Sequence, residues 1–343
     1  MRKYNVAILG ATGAVGQEFL QLIAERNFPF ADLKLLASER SAGRKIEFLG
    51  KEYTVEAATA DSFKGVEIAL FAGGSASKTF APAAVKHGAV VIDNSSAFRM
   101  DPEVPLVVPE VNPEAIKEHK GIIANPNCST IIMVMALKPI HDAVKIKRVV
   151  VSTYQAVSGA GKEAIDELND QVKAVAENKP VEARILPSAG LPAHYQIAFN
   201  LLPQVDVFMD DGYSKEELKM VQETQKILAD PSIAVTATTV RVPVFRSHSE
   251  SVNLELSGPL SAADAKKLLA AFPGVVVEDD PSRQVYPMPL TTSGRDEVFV
   301  GRIREDGTVT HGLNLWVVGD QIRKGAALNA LQIAEYMIEH NQI

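Results

Sequence analysis

The stretch ILGATGAVG, residues 8–16, constrains the fold of this chain more than any other segment. It follows a short apolar run, YNVAILG, and leads into AVGQEFLQLIAERN, whose apolar residues recur at helical spacing. Gly10, Gly13 and Gly16 are three residues apart, rather than in the more common G-x-G-x-x-G spacing. A strand, a glycine turn and a helix in this order are typical of a unit that binds a dinucleotide pyrophosphate through backbone N–H groups. The alternative is a tight turn that binds no ligand.

The same alternation of strands and helices continues through the first half of the chain. Apolar runs that end in glycine, serine or asparagine follow at LKLLAS, VEIALFAGG, GAVVIDNS and GIIANPN. This alternation predicts an α/β fold with right-handed βαβ units and a doubly wound, parallel, Rossmann-type sheet. After Ile140 the sequence becomes β-rich, as in IKRVVVSTYQAV, IAVTATTVRVPVF and ESVNLELSG. We therefore expect a second, α+β domain on an antiparallel or mixed sheet.

The domain boundaries follow from this change from alternating strands and helices to a β-rich sequence. We expect residues 1–128 and 320–343 to form the nucleotide-binding domain, because the amphipathic segment GAALNALQIAEYMIEHN should return to it. Residues 129–319 are expected to form the catalytic, substrate-binding domain. A chain of 343 residues exceeds the usual size of one hydrophobic core, which agrees with two domains. Residues 178–210 contain four prolines and are expected to form a loop.

Composition and charge argue against several classes of partner. The formal net charge of −7 disfavours nucleic acid. No apolar run approaches the ~20 residues of a membrane helix, and the run from Val6 to Leu9 is too short for a signal-peptide core. A single cysteine excludes an internal disulfide and fits a reducing compartment. We expect a cytoplasmic protein with no metal site and no nucleic-acid or membrane partner.

The segment after the second predicted strand indicates which dinucleotide is bound. An NAD site usually has an acidic residue at the end of this strand, whereas this chain continues with SERSAGRK. Several of its side chains are able to contact a ribose 2′-phosphate, namely Ser38, Arg40, Ser41, Arg44 and Lys45. We therefore expect NADP, although Glu39 could accept a hydrogen bond from a free 2′-hydroxyl and a solvated basic loop is a further alternative. The predicted cofactor-binding residues of this domain are Gly10, Thr12, Gly13, Ala14, Val15, Gly16, Ser38, Arg40 and Ser41.

Cys128 is the only cysteine and is followed by an apolar helical run, CSTIIMVMALKPI. Pro126 keeps the preceding residues extended, and Asn127 and Ser129 favour a helix start, so Cys128 should lie at a helix N-terminus. The helix dipole and N–H groups there stabilise a thiolate, and also an oxyanion on an acylated sulfur. A small buried cysteine is the alternative. Together with a nucleotide-binding fold, this position suggests hydride transfer to a covalent thioester.

Six segments, taken in order and over essentially the full length, resemble the aspartate-semialdehyde dehydrogenase family. They are GATGAVG, DNSSAFRMDPEVPLVVPEVN, NPNCST, YQAVSGAG, VRVPVFRSHSE and GDQIRKGAALNALQIAE. The resemblance implies NADPH-dependent reductive dephosphorylation of L-aspartyl 4-phosphate to L-aspartate 4-semialdehyde through a cysteine acyl-thioester. It also implies a homodimer, with dimerisation by the second domain. The pathways implied are lysine (diaminopimelate), threonine, methionine and isoleucine biosynthesis.

The resemblance implies catalytic roles for Cys128, Gln155 and His248, and a substrate-binding role for Arg241. Cys128 would be the nucleophile and Gln155 would orient the substrate. Arg241 would clamp the substrate carboxylate, and His248 would act as a general acid–base. A regular strand would place Arg241 and His248 on opposite faces, and Pro243 excludes a helix. They can share a site only if the chain breaks at Pro243.

Further residues are assigned to the phosphate and the substrate. Arg99 matches the family's phosphate-binding arginine, with Ser96 assisting it, and Asn127 is expected to contact the substrate. The resemblance assigns Glu216 to the substrate amine and Lys219 to the phosphate. The alternative for this last pair is an exposed i,i+3 ion pair worth a few tenths of a kcal/mol.

The helix that carries Glu216 is expected to begin at Ser214, with Glu217 completing a capping box. The resemblance implies that three further residues contact the cofactor: Ser158, Gly159 and Gln321. Two other functions remain open at this stage. One is a reductase for N-acetyl-glutamyl phosphate, and the other is a catalytically silent NADP-binding regulator with a buried Cys128.

Overall fold

Two six-stranded sheets, one in each of two compact units, organise residues 2–343, the part of the chain that this computed structural model describes. The first unit comprises Met1–Asn127 together with Ala326–Ile343, and the second comprises Cys128–Gly325. The strands are β1 (Tyr4–Leu9), β2 (Phe30–Ala37), β3 (Lys45–Phe48), β4 (Lys51–Thr54), β5 (Glu56–Ala57), β6 (Ile68–Phe71), β7 (Val90–Asp93), β8 (Ile122–Ala124), β9 (Ile146–Gln155), β10 (Ala234–Arg241), β11 (His248–Leu256), β12 (Val275–Val277), β13 (Val298–Asp306) and β14 (Gly312–Gly319). The α-helices are α1 (Ala14–Glu25), α2 (Ala76–Lys86), α3 (Cys128–Val144), α4 (Lys162–Ala176), α5 (Lys215–Ile227), α6 (Ala262–Ala271), α7 (Pro289–Thr292) and α8 (Leu328–Glu339).

The sheet of the first unit is parallel throughout, with the strand order β5-β2-β1-β6-β7-β8. The central strand β1 is covered on both faces. Val6 and Ile8 pack in a cluster with α1 and α8, while Ala7 and Leu9 pack in a second cluster with α2. The predicted doubly wound, parallel sheet is confirmed, and the C-terminal helix α8 belongs to this unit.

The glycine turn joins β1 to α1 at the point where the strand order reverses between β1 and β6. Gly10 has a φ of +87°, and a Cβ there would lie 2.6 Å from the carbonyl oxygen of Ala72. A Cβ on Gly16 would lie 2.2 Å from the carbonyl oxygen of Gly10. The turn and the first helix can therefore pack this closely only because both positions are glycine. Gly13 is the N-cap of α1.

The sheet of the second unit is mixed, with the strand order β10-β9-β11-β14-β13-β12. The β9–β10 and β12–β13 pairs are parallel and the other pairs are antiparallel. Helix α3 packs against this sheet and contacts α5 and α6. This arrangement confirms the predicted second α+β domain. The chain from 178 to 210 forms neither helix nor strand, in agreement with the expected loop.

The register of three strands brings their ends to one edge of the second sheet. Gln155, the last residue of β9, is paired with Arg241, the last residue of β10. The antiparallel strand β11 begins at His248, and its second residue, Ser249, is paired with Tyr154. The sheet therefore places Gln155, Arg241 and His248 at the same edge. None of the helices described in residues 2–343 is both long enough and apolar enough to cross a membrane.

Substitution of Leu22 by Ala should destabilise the first unit by about 2–5 kcal/mol, because Leu22 is fully buried and its truncation leaves a cavity. The measurement is hydrogen exchange of the β1 amides under native conditions, which reports on this unit separately. Leu49→Ala is the matched control, since Leu49 is 64% exposed, and it should change stability by less than about 0.5 kcal/mol. Equal effects of the two substitutions would contradict the described packing.

Candidate active site

Cys128 is the first residue of α3 and is half-buried. The residues that follow it, from Ser129 to Leu137, are all buried, so the start of the helix is held firmly against the sheet. The positive end of the helix dipole therefore lies at the cysteine, where it stabilises negative charge on the sulfur. A side chain on Gly325 would press on this residue, because a Cβ there would lie 3.0 Å from the Cβ of Cys128.

The sulfur of Cys128 faces the imidazole of His248, with 3.5 Å between Sγ and Nε2. The other ring nitrogen, Nδ1, accepts a hydrogen bond of 3.1 Å from the backbone N–H of Ala156. A neutral imidazole that accepts at Nδ1 carries its proton on Nε2. Complete burial and the charge of Arg241 lower the pKa of His248 well below its ordinary value of 6.5. His248 is therefore a neutral ring that directs an N–H group toward the sulfur.

Arg241 is buried at the end of β10, and Nη1 donates a hydrogen bond of 2.8 Å to the carbonyl oxygen of Ala156. Within the described part of the chain, its buried Nε has no hydrogen-bond partner. Burial lowers the pKa of Arg241, while the negative charges of Glu216 and Cys128 act in the opposite direction. A buried donor without a partner is costly, and an anionic ligand would satisfy it. The neighbouring Arg246 instead pairs with Asp320.

Arg241 and His248 meet at Gly159, which lies in a 3₁₀ turn after β9. A Cβ on Gly159 would lie 3.0 Å from Nη1 of Arg241 and 3.4 Å from Cε1 of His248. The expected break of the chain between the two residues is present, because β10 ends at Arg241 and β11 begins at His248. Glycine at this position leaves room for both side chains.

The side-chain amide of Gln155 lies between Ser129 of helix α3 and the carboxylate of Glu216. Its Nε2 is 2.9 Å from Oγ of Ser129, 3.3 Å from Oγ1 of Thr153 and 3.3 Å from Oε1 of Glu216. The amide is buried, so these contacts fix its orientation. Gln155 thus holds one carboxylate oxygen of Glu216 in place.

The second carboxylate oxygen of Glu216 belongs to a three-membered ionic cluster. Nζ of Lys219 lies 3.1 Å from Oε2 of Glu216 and 2.9 Å from Oδ2 of Asp206. Burial lowers the pKa of Lys219, but the two carboxylates outweigh that effect, so the pKa is raised. Helix α5 begins with the expected capping box, in which Ser214 and Glu217 bond each other's backbone N–H.

Most of the residues described above, although not His248, line one cavity of about 410 Å³ within the second unit. Its walls include Cys128, Gln155, Gly159, Glu163, Asp206, Glu216, Lys219 and Arg241. The volume is within the range of small-ligand sites. The fixed cations and carboxylates suit a small zwitterion that carries an additional anionic group. Across residues 2–343, no group of three or more His, Cys, Asp or Glu side chains is arranged to hold a metal ion.

A second cavity, of about 420 Å³, lies in the first unit at the glycine turn. Its lining residues include Gly10, Thr12, Gly13, Ser38, Glu39, Arg40 and Ser41. Ala14, Val15 and Gly16 form the first turn of α1 and are not among its lining residues. Arg44 and Lys45 do not line it either, and Lys45 pairs with Glu52 in the β3–β4 hairpin. The cavity is bounded by the glycine turn and by a serine–arginine–serine group.

The remaining expected site residues lie in two places. In the second unit, Nε2 of Gln321 donates to Oγ of Ser158, and Oε1 of Gln321 accepts from the backbone N–H of Ser247 at 2.8 Å. In the first unit, the Arg99 guanidinium donates to the carbonyl oxygens of Asn125 (2.9 Å) and Asn94 (2.8 Å). Ser96 is exposed and Asn127 is buried in the same unit. Contact of Arg99, Ser96 and Asn127 with a phosphate or substrate stays a prediction.

Comparisons with known proteins cover both units. A family model described as "Semialdehyde dehydrogenase, NAD binding domain" matches residues 5–119, and another described as "Semialdehyde dehydrogenase, dimerisation domain" matches residues 137–324. The aspartate-semialdehyde dehydrogenase of Aquifex aeolicus (strain VF5) is 59% identical over 99% of each chain. The solved structure of aspartate semialdehyde dehydrogenase II from Vibrio cholerae, complexed with ASA, is 50% identical over 99% of each chain, with a TM-score of 0.93. A Candida albicans aspartate semialdehyde dehydrogenase solved with NADP is 26% identical over 100% of each chain, with a TM-score of 0.76.

Sequence reasoning missed a buried carboxyl group near the cysteine–histidine pair. Glu250 is two residues after His248 on the same face of β11, and it is fully buried. Neither of its carboxylate oxygens has a hydrogen-bond partner within the described residues. Burial raises the pKa of Glu250 well above its ordinary value of 4.5. Glu250 is therefore a neutral acid and adds no charge to the interior beside the imidazole.

Substitution of Glu250 by Gln should stabilise the protein increasingly as the pH rises above 4.5 toward the raised pKa of the folded carboxyl group. Above pH 4.5 the unfolded Glu250 releases its proton, whereas the folded one retains it because its pKa is raised. The wild type therefore loses stability with rising pH by up to about 1.4 kcal/mol per unit, and the variant does not. The measurement is urea unfolding of both proteins at several pH values. A difference that stays constant with pH would contradict the neutral buried acid.

Proposed function

The chain belongs to the aspartate-semialdehyde dehydrogenase family, and from this premise we propose that it reduces L-aspartyl 4-phosphate to L-aspartate 4-semialdehyde with NADPH, through an acyl-thioester on Cys128. The observation that carries the proposal is the contact of 3.5 Å between Sγ of Cys128 and Nε2 of His248 at the start of α3. This pair adjoins a cavity whose charged groups correspond to the charges of an aspartyl phosphate.

Each charged group of the substrate has a counterpart in the chain. Arg241 binds the α-carboxylate, which satisfies its buried Nε. Glu216 binds the α-ammonium, and Gln155 orients the substrate from the position in which it also holds Glu216. Lys219 binds the phosphate. The ASA-bound structure of the Vibrio cholerae relative supports a substrate of this kind.

The first chemical step is acyl transfer to sulfur. The Cys128 thiolate attacks the acyl carbon, a carbon–sulfur bond forms, and the bond from carbon to the phosphate oxygen breaks. The departing phosphate takes up the single proton that the overall reduction consumes. Lys219 and Arg99 stabilise its negative charge, with Ser96 and Asn127 assisting.

The second step reduces the thioester. When bound, NADPH supplies a hydride to the thioester carbon. Negative charge develops on the carbonyl oxygen, and the Nε2–H of His248 donates a hydrogen bond to it, as oxyanion-stabilising donors do. Expulsion of the sulfur then gives the aldehyde and returns the thiolate. The hydrogen bond from the Ala156 N–H to Nδ1 leaves the ring proton of neutral His248 on Nε2. This arrangement favours a role for His248 as a hydrogen-bond donor to the oxyanion over a role in proton transfer.

The first unit fits the cofactor. The glycine turn at the start of α1 suits a pyrophosphate, which binds backbone N–H groups at helix N-termini. Arg40, Ser38 and Ser41 at the adjoining cavity suit the 2′-phosphate of NADP, whereas Glu39 is the feature that would favour NAD. The NADP-bound structure of the Candida albicans relative supports NADP. Ser158, Gly159 and Gln321 are assigned to the nicotinamide end of the cofactor.

We also propose that the chain forms a homodimer and acts in lysine (diaminopimelate), threonine, methionine and isoleucine biosynthesis. The match of residues 137–324 to a dimerisation domain supports the homodimer. Among substrates, the cluster at Glu216 favours a free ammonium group over an N-acetylated amine, which carries no positive charge. This argues against N-acetyl-glutamyl phosphate, and the exposed side of Cys128 argues against a silent regulator with a sealed thiol.

Substitution of Cys128 by Ala should lower turnover by about 10³-fold or more, because the acyl group has no other nucleophile to accept it. The assay is phosphate-dependent reduction of NADP by aspartate semialdehyde, followed at 340 nm. NADP binding, measured by calorimetry, should be retained as the control for folding. A rate within tenfold of the wild type would contradict the role of Cys128, and equal turnover of N-acetyl-glutamate semialdehyde by the wild type would contradict the substrate.

Substitution of Arg40 by Ala should raise the KM for NADP by about 10- to 100-fold, the loss expected for a charge-assisted hydrogen bond. The KM for NAD should change little, because NAD has no 2′-phosphate. Arg44→Ala is the matched control, since Arg44 belongs to the same basic segment but does not line the cavity. Equal effects of Arg40→Ala on the two cofactors would argue against 2′-phosphate recognition.

A further inference from the structure

We propose that Asp320 is a positioning residue for His248, and that it acts through the two residues that precede the histidine. This rests on the proposed function, because it takes the Nε2–H of His248 to act on the sulfur and on the developing oxyanion. Sequence reasoning gave Asp320 no role, although it stands beside Gln321 in the segment GDQIRKG.

The backbone directly before His248 has an uncommon conformation. Residues 242–247, which connect β10 to β11, form neither helix nor strand. Ser247 has a φ of +71°, in the left-handed region that residues other than glycine seldom adopt. Such a conformation persists only where the surrounding structure fixes it. The contacts of Ser247 therefore determine where the backbone places the imidazole of the next residue.

Two short segments of the second unit hold Ser247. Its backbone N–H donates a hydrogen bond of 2.8 Å to Oε1 of Gln321. Its hydroxyl oxygen lies 3.0 Å from Oγ1 of Thr292 and 3.3 Å from Oγ of Ser293. The same Ser293 hydroxyl donates to the carbonyl oxygen of Arg246 at 3.2 Å. Ser247 is thus fixed from the turn after β14 and from the end of α7.

The carboxylate of Asp320 joins both of these segments to Arg246. Oδ1 accepts hydrogen bonds from the backbone N–H groups of Ile322 (3.0 Å) and Arg323 (3.1 Å). Oδ2 accepts one of 2.7 Å from the backbone N–H of Gly294 and also pairs with Nε of Arg246. The side chain of Asp320 is fully buried, so water does not compete for these contacts.

The imidazole of His248 has two attachments, of which Asp320 supports one. The Ala156 N–H holds Nδ1, and the backbone at Ser247 holds the other end of the side chain. Release of the backbone would let the ring pivot about Nδ1, which moves Nε2 relative to the sulfur. A displacement of about 1 Å in a catalytic group can lower the rate about 100-fold.

Substrate binding should depend little on Asp320, which does not line the cavity. The nearest cavity residue along the chain before β11 is Arg241, whose backbone is held separately. Its N–H donates to the carbonyl oxygen of Leu202 at 2.8 Å, and its own carbonyl oxygen accepts from the Leu202 N–H at 3.0 Å. Loss of the Asp320 contacts should therefore affect the chemical step and not the affinity for the substrate.

Asparagine at position 320 separates the two sets of contacts. Its carbonyl oxygen can still accept from the N–H groups of Ile322 and Arg323, so the turn that carries Gln321 is kept. Its NH₂ group cannot accept a hydrogen bond from Gly294 or Arg246.

The test compares Asp320→Asn with Asp279→Asn in the NADP-dependent oxidation of aspartate semialdehyde. Asp279 is the matched control, because its side chain is 1% exposed, accepts two backbone N–H groups of β13 and pairs with Lys266 at 2.8 Å. Asp320→Asn should lower kcat about 10- to 100-fold, with KM for the aldehyde within about threefold. Asp279→Asn should leave kcat within about twofold. Rates are expressed per Cys128 that iodoacetamide can alkylate, so that unfolded protein does not lower them.

Alkylation of Cys128 at pH 6, without substrate or cofactor, reports on His248 directly. Asp320→Asn should slow it about threefold or more, because a displaced Nε2–H stabilises the thiolate less. Arg246→Gln removes the cation and leaves the backbone contacts of Asp320 in place, so it should show part of both losses. The double variant should be no slower than Asp320→Asn alone, since the two side chains act through one contact.

Three results would overturn the inference. They are a kcat of Asp320→Asn within twofold of wild type, equal losses of kcat in the two asparagine variants, and a lower kcat with unchanged alkylation. The last would assign the effect to the cofactor instead of His248. If Asp320→Asn does not fold, Arg246→Gln tests the same contact, and unchanged kcat and alkylation would contradict it. A wild type inactive with aspartate semialdehyde would reject the proposed function, whereas the alkylation rates still decide whether Asp320 positions His248.

Discussion

The contact between the sulfur of Cys128 and Nε2 of His248 is the interaction on which the rest of the site depends. It requires two elements to meet: the first residue of α3 and the first residue of β11. Helix α3 is held by its nearly complete burial against the sheet. His248 is held by the Ala156 N–H, which also determines the ring nitrogen that carries the proton. The pairing of β9 with β10 and β11 then brings Gln155 and Arg241 to the same edge.

Around this contact, neutral and charged side chains of the second unit lie in different places. His248 and Glu250 are buried and neutral, because burial moves their pKa values in opposite directions, each away from the charged form. The permanent charges lie in the cavity, on Arg241, Glu216, Lys219 and Asp206. His248 and Glu250 therefore add no charge, and the charged groups that can bind an ionic substrate are those that line the cavity.

Much of the fold could be predicted from the sequence, because its signals are local. The glycine turn, the helix after it and the apolar parallel strands each follow from a short window of residues. The meeting of Arg241 and His248 could be anticipated because Pro243 interrupts a strand pattern. The burial of Glu250 also had a signal, since it shares the face of β11 with Val252 and Leu254.

Asp206 had no comparable signal. Its contact with Lys219 spans 13 positions, from irregular chain into helix α5, and the direction of its carboxylate depends on a left-handed backbone conformation that no pattern of side chains indicates. The tautomer of His248 was also beyond the sequence, because it is determined by a backbone N–H from another strand end. Local sequence patterns predict helices and strands. The contacts of Asp206 and His248 depend instead on how irregular segments pack against those helices and strands.

The central claim is that the acyl group is carried by Cys128. The most direct measurement is mass spectrometry of the protein after mixing with aspartate semialdehyde and NADP while phosphate is withheld. In the absence of phosphate the acyl group cannot leave by phosphorolysis, so the peptide that contains Cys128 should gain the mass of one aspartyl group as NADPH forms. Formation of NADPH without any adduct, or an adduct on a different residue, would contradict the account.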